Sequence, residues 1–142
     1  MAQMLIVEDQ PTDIRIAADV AQALGIDVEA RTSASAAKLY LESAIEGKQV
    51  FPDIVLLDLD LGYESGHEIL RFWHGNSKLT GIRMVVWTVM GEAQQALCRL
   101  FNVTAVVPKW EGADALKRML KSLVPRRPGN ASQSPPSNSF LA

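Results

Sequence analysis

Four aliphatic residues in unbroken succession, Ile54-Val55-Leu56-Leu57, run directly into an aspartate, Asp58. A strand with one wet face alternates apolar and polar residues. Apolar character at every residue instead demands burial on both faces, as in a parallel sheet covered by helices on either side. Related runs occur at Met4–Val7 and Met84–Trp87, with weaker ones at about Asp27–Arg31 and Thr104–Val107. Between them, apolar residues recur at helical spacing. After Pro11 and Asp13 come Ile14, Ala17, Ala18, Ala21 and Leu24; after Ser33 or Ser35, either of which can cap, come Ala36, Leu39, Tyr40 and Ala44. Gly25 and Gly47 follow these two segments, at the place where a left-handed stop residue is cheap. Further helices are predicted over about Gly66–Trp73, Glu92–Leu100 and Gly112–Leu123. Parallel neighbours require crossover connections, which these helices supply. The expected fold class is therefore α/β: a doubly wound five-stranded parallel sheet, strand order 2-1-3-4-5, flavodoxin-like, with its site beyond the carboxyl ends of the strands.

A chain of 142 residues, 48% of them apolar, has material for one substantial core. Residues 1–124 hold all 16 acidic residues and 12 of the 14 basic ones, a formal charge of −4, which argues against direct nucleic acid binding. No apolar run approaches the length of a membrane span, and Met1-Ala2-Gln3-Met4 lacks the basic stretch of a secretory signal, so no membrane insertion is expected. A single cysteine, Cys98, fits a reducing, cytoplasmic setting and reads as a buried helix residue rather than a nucleophile. Residues 1–124 are thus expected to form the folded domain. Residues 125–142, with four prolines, four serines and no acidic residue, are expected to be a disordered tail or linker.

The chemistry gathers at strand ends: Glu8-Asp9 after the first, Asp58 after the third, Thr88 after the fourth and Lys109 after the fifth. In a parallel sheet these points share one edge. Three carboxylates brought together repel one another, and a hard divalent cation with oxygen ligands relieves that repulsion. Mg2+ is the expected ion, with Mn2+ as a substitute. Asp58, at the centre of the sheet, can attack phosphorus to give an aspartyl phosphate. Lys109 would neutralise charge on the transferring oxygens, and Thr88 would donate a hydroxyl hydrogen bond to one of them. Taken singly, Asp9 could be a turn residue, Thr88 a cap and Lys109 a solvated lysine; the combination is what points to a site. His67 and His74 do not form a convincing metal pair.

This set of residues, over about residues 3–124, resembles the receiver domain of two-component response regulators. The acidic pair corresponds to Glu8-Asp9, the phosphoacceptor to Asp58, the hydroxyl residue to Thr88 and the lysine to Lys109. The stretch from Leu56 to Gly66, with its glycine eight residues after the aspartate, resembles the family's loop. The resemblance implies phosphoryl transfer from a histidine kinase or histidine phosphotransfer protein, and a downstream protein partner met around the fourth helix, fifth strand and fifth helix. Trp110, Ala113 and Phe101 are plausible contacts there. It implies a monomer or weak homodimer, and a metal ligand from the backbone carbonyl of Asp60, so that Glu8, Asp9, Asp58 and Asp60 make up the metal set. Asp60 and Met90, two residues beyond Asp58 and Thr88, should flank the pocket mouth, and apolar Met90 predicts slow to moderate autodephosphorylation.

The sequence also departs from the family. Trp110 follows Lys109 where proline is usual, Val106 stands where the switch aromatic is usual, and Gly62 replaces a loop proline. Two alternatives to a phosphorylation-dependent signalling domain follow. One is a phosphorylation-independent binding module. The other is a small metal-dependent phosphohydrolase using the Asp58-x-Asp60 pair.

Overall fold

The computed structural model describes residues 2–89 and 91–124. Met90 and the proline- and serine-rich 125–142 lie outside the described residues, and so do the expectations placed on them.

Strand β1 (Gln3–Val7) leads to helix α1 (Pro11–Ala23), β2 (Asp27–Arg31), α2 (Ala34–Ile45) and β3 (Ile54–Leu57). A two-stranded antiparallel ribbon, β4 (Asp60–Leu61) and β5 (Glu64–Ser65), precedes α3 (His67–His74). The chain continues through β6 (Arg83–Thr88), α4 (Glu92–Leu100), β7 (Ala105–Pro108) and α5 (Gly112–Leu123). The main sheet has five parallel strands in the order β2-β1-β3-β6-β7. Since β4 and β5 stand apart, this is the expected 2-1-3-4-5 arrangement.

The unbroken apolar runs do what their pattern requires. Ile54 and Leu56 of β3 pack on one side of the sheet with Ala17 and Ala21 of α1 and Leu116 and Leu120 of α5. Val55 and Leu57 pack on the other with Leu41 of α2, Leu70 and Trp73 of α3 and Cys98 of α4. Successive side chains of a strand point to opposite faces, so a strand with helices on both sides must be apolar throughout. Burial raises the pKa of the Cys98 thiol, as suits a core residue rather than a nucleophile.

Local chemistry sets the boundaries. Ser33 caps α2 by accepting the Ala36 amide at 3.1 Å, and Gly25 and Gly47 adopt φ of +74° and +79° after α1 and α2. The last strand runs one residue later than its apolar pattern. Thr104 bonds Met84 twice, by its amide (2.8 Å) and through its hydroxyl (3.1 Å), whereas Pro108 pairs with Thr88. A proline is tolerated there because β7 is an edge strand with a neighbour on one side only.

Candidate functional site

The ends of β1, β3, β6 and β7 meet at one edge of the sheet because their register aligns them. The Asp58 amide still donates to the Val7 carbonyl at 3.0 Å, and the Glu8 amide to the Arg31 carbonyl at 3.1 Å. Glu8 and Asp58 are therefore each fixed by the last rung of a ladder. Glu8, Asp9 and Asp58 each offer a carboxylate oxygen, all within 4.8 Å of one another. Such a donor set fits a hard divalent cation, which takes oxygen ligands and completes its shell with water or phosphate oxygens.

Lys109 opens a short 3-10 turn, Lys109–Glu111, directly after β7. Its ammonium reaches Glu8 Oε1 at 2.6 Å, Asp13 Oδ2 at 2.7 Å and Asp58 Oδ2 at 3.1 Å. The other Asp58 oxygen, Oδ1, accepts the Thr88 hydroxyl at 2.5 Å and the Asp60 amide at 3.1 Å. Below the lysine lies the Trp87 ring, its centroid 5.1 Å from Nζ. Glu8, Asp58 and Thr88 are all buried, which is costly for polar groups unless each is paired, as here.

Burial is the main reason the Glu8 carboxyl is pushed up to about 7; the nearby Asp58 charge adds to it, while Lys109 and the Gln10 amide pull the other way. Burial alone would lower the Lys109 pKa, but hydrogen bonds to Asp13, Glu8 and Asp58 outweigh it and hold the ammonium above its usual range. The site opens to solvent through a cleft of about 330 Å3 lined by Asp9, Asp13, Asp58, Asp60, Thr88 and Lys109.

Two glycines shape the loop around Asp58. A Cβ on Gly66 would lie 2.3 Å from the Asp58 carbonyl oxygen, so only glycine lets α3 start so close behind the acidic residue. Gly62 takes φ +74°, and a Cβ there would meet Asp9 Oδ2 at 3.4 Å.

Glu8, Asp9, Asp58, Thr88 and Lys109 are thus brought together. The Asp60 side chain stands apart from the three grouped carboxylates: it is exposed, and its Oδ1 accepts the Gly62 amide at 3.3 Å. Asp13 joins the site although its place at a helix start gave no reason to expect it. Packing of α1 against α5 on one sheet face is the signal that could have revealed it, since it puts the first turn of α1 beside the turn holding Lys109. Val106 is half-buried, Trp87 is buried and Trp110 is 74% exposed, so of the two tryptophans only Trp110 is open to solvent.

No family model and no curated protein matches the chain by sequence. Solved structures do match. The phosphorylated cyanobacterial phytochrome response regulator RcpA superposes with a TM-score of 0.74 at 23% identity, over 86% of this chain and 90% of that one. The chain has the receiver-domain fold of response regulators. The bacteriophytochrome response regulator AtBRR is 26% identical, with a TM-score of 0.71 over 87% of this chain and 92% of its own. A response regulator in its Mn2+-bound form is 24% identical, with a TM-score of 0.73 over 87% and 91%. In this receiver fold the acidic cluster and its lysine are consistent with a phosphoacceptor site. No helix among the described residues is long and apolar enough to cross a membrane.

Proposed function

We propose that the protein is a response-regulator receiver that accepts a phosphoryl group on Asp58 and signals through phosphorylation-dependent protein binding. The observation that carries this reading is the grip on Asp58. One oxygen is held by Thr88 and the Asp60 amide and the other by Lys109, beside Glu8 and Asp9. These are the groups that in-line phosphoryl transfer needs, since catalysis there is mostly positioning and charge stabilisation.

Asp58 attacks phosphorus; the new O–P bond forms as the P–N bond to a donor histidine breaks, and the imidazole leaves with the electron pair. The donor is a histidine kinase or a histidine phosphotransfer protein. Lys109 then neutralises charge on a phosphoryl oxygen, and the Thr88 hydroxyl donates to another. Glu8, Asp9, Asp58 and the Asp60 backbone carbonyl would hold Mg2+, or Mn2+ in its place, which supplies further neutralisation of phosphoryl charge. Phosphorylation biases a conformational equilibrium, and a partner surface around α4, β7 and α5 changes with it.

Two other readings compete with this one. A binding module indifferent to phosphorylation draws support from Val106, which stands where the switch aromatic is usual, and from Trp110, which stands where proline usually follows the lysine. A phosphohydrolase would need Asp60 as its second acid, and that carboxylate is engaged by the Gly62 amide.

Acetyl phosphate with Mg2+ should add one phosphoryl group to the purified protein, as a hydroxylamine-sensitive acyl phosphate seen by mass spectrometry, and none to Asp58→Asn. Partner binding compared between the two proteins separates the signalling reading from the indifferent module. A folded protein that binds no Mg2+ and gains no acyl phosphate at Asp58 overturns the proposal.

A further inference from the structure

An ammonium group has three hydrogens to donate, and those of Lys109 are already taken by three carboxylates. A phosphoryl group on Asp58 needs one of them. The carboxylates are not equally free to yield: the Glu8 and Asp58 side chains are 1% and 6% exposed, that of Asp13 27%. Glu8 is closed off from water, whereas releasing Asp13 returns a carboxylate to solvent. Asp13 makes no hydrogen bond to the backbone of α1, although it sits in the first turn where acidic residues commonly serve the helix; among the described residues its partner is Lys109.

We propose that Asp13 is a positioning residue that holds Lys109 in the unmodified protein and gives it up when Asp58 takes the phosphoryl group. The inference rests on the phosphoacceptor reading of Asp58. In the resting site Asp13 draws the ammonium toward α1, and that pull opposes the movement by which the lysine comes to serve the transferring oxygens. Asp13 therefore sets part of the barrier to phosphorylation without touching the reacting atoms. With acetyl phosphate as donor, the Asp58 oxygen bonds to phosphorus as the P–O bond to acetate breaks and acetate leaves. Removing the Asp13 charge frees one Lys109 hydrogen for that step.

The test measures acyl phosphate formation by the full chain in Mg2+ with acetyl phosphate across a range of concentrations. Asp13→Asn should raise the maximal rate about fivefold, near the upper end of what a part-exposed ion pair can hold back. The concentration giving half-maximal rate should change far less, because the gain lies in the chemical step rather than in donor capture. Asp13→Ser, with a side chain that helix starts accept, should behave likewise if the Asn variant folds poorly. Asp13→Glu, which keeps the charge and extends the reach, should restore the slow rate. A helix-start role alone would change the melting temperature and leave the rate as it was. Wild-type protein that labels while Asp13→Asn and Asp13→Ser label no faster overturns the inference and leaves the phosphoacceptor reading standing. Wild-type protein that takes no label overturns both.

Discussion

Replacing Gly66 with alanine sets two physical expectations against each other. The backbone there has φ −63° and ψ −15°, which alanine adopts without strain, so unfolded-state entropy alone predicts a gain of about 0.4–1 kcal/mol. Packing predicts the opposite. The added Cβ falls 2.3 Å from the Asp58 carbonyl oxygen, 2.8 Å from Leu59 Cα and 3.1 Å from the Asp58 carbonyl carbon. All three are backbone atoms, and none can rotate away. The same strand end is tied to the helix start by the Gly66 amide, which donates to the Leu59 carbonyl at 2.9 Å. Overpacking costs about 1–3 kcal/mol and sometimes more; with rigid neighbours the upper end applies, so the net loss should be about 2 kcal/mol. For a domain of this size that lowers the melting temperature by about 8 °C. Thermal and urea unfolding followed by circular dichroism measure it, with Gly81→Ala as control, since no atom lies within 4 Å of a Cβ there. Phosphorylation by acetyl phosphate should fall in parallel because the carbonyl being pushed belongs to Asp58. A Gly66→Ala protein as stable as wild type would refute the reasoning.

Other perturbations test other parts of the molecule. Ser33→Ala removes the cap of α2 and should cost about 1 kcal/mol, read as a lower urea midpoint at unchanged slope. Lys109→Met should abolish phosphorylation and, by stranding buried carboxylates, cost about 3–5 kcal/mol at neutral pH, with the deficit shrinking in acid as those groups take up protons. In the metal-free protein Glu8, facing Lys109 and Asp58, has its carboxyl at about 7 against an ordinary 4.5. The folded state therefore binds more protons than the unfolded state between those values, and this group's contribution makes stability fall as pH rises through that window. Mg2+ needs the deprotonated form, so its affinity should weaken by about tenfold per pH unit below 7, measurable by calorimetry as proton release on binding.

Long-range order was legible where the pattern was strong. The run Ile54–Leu57 marks β3, and helical spacing located α4 and α5 at Glu92–Leu100 and Gly112–Leu123. The third helix begins one residue later than its spacing suggests because Gly66 acts as its N-cap. The ribbon β4–β5 left no trace, since two-residue strands carry no periodicity. In the site, strand ends were readable because every parallel strand delivers its following residue to the same edge. Asp13 was not, because its role depends on a lysine 96 positions away and its place in a first turn already had an ordinary explanation.

Glu8, Asp58 and Thr88 are each anchored by sheet pairing, whereas the Lys109 ammonium is held by side chains at the start of a turn. The Trp87 ring closes off the space beneath its ammonium, with an indole Nε1 that is buried and finds no hydrogen-bond partner among the described residues. Carboxylates of three elements surround the ammonium, and the lysine joins them to the turn that carries it. That turn is the 3-10 segment Lys109–Glu111, joined to α5 through Gly112 at φ +88°. The half-buried Val106 fills little of the space a swinging aromatic needs, whereas Trp110, 74% exposed, rides on the turn itself. On the function proposed above, a change at the lysine should be felt one residue away, at a large apolar side chain already facing solvent, rather than through an aromatic swing on β7.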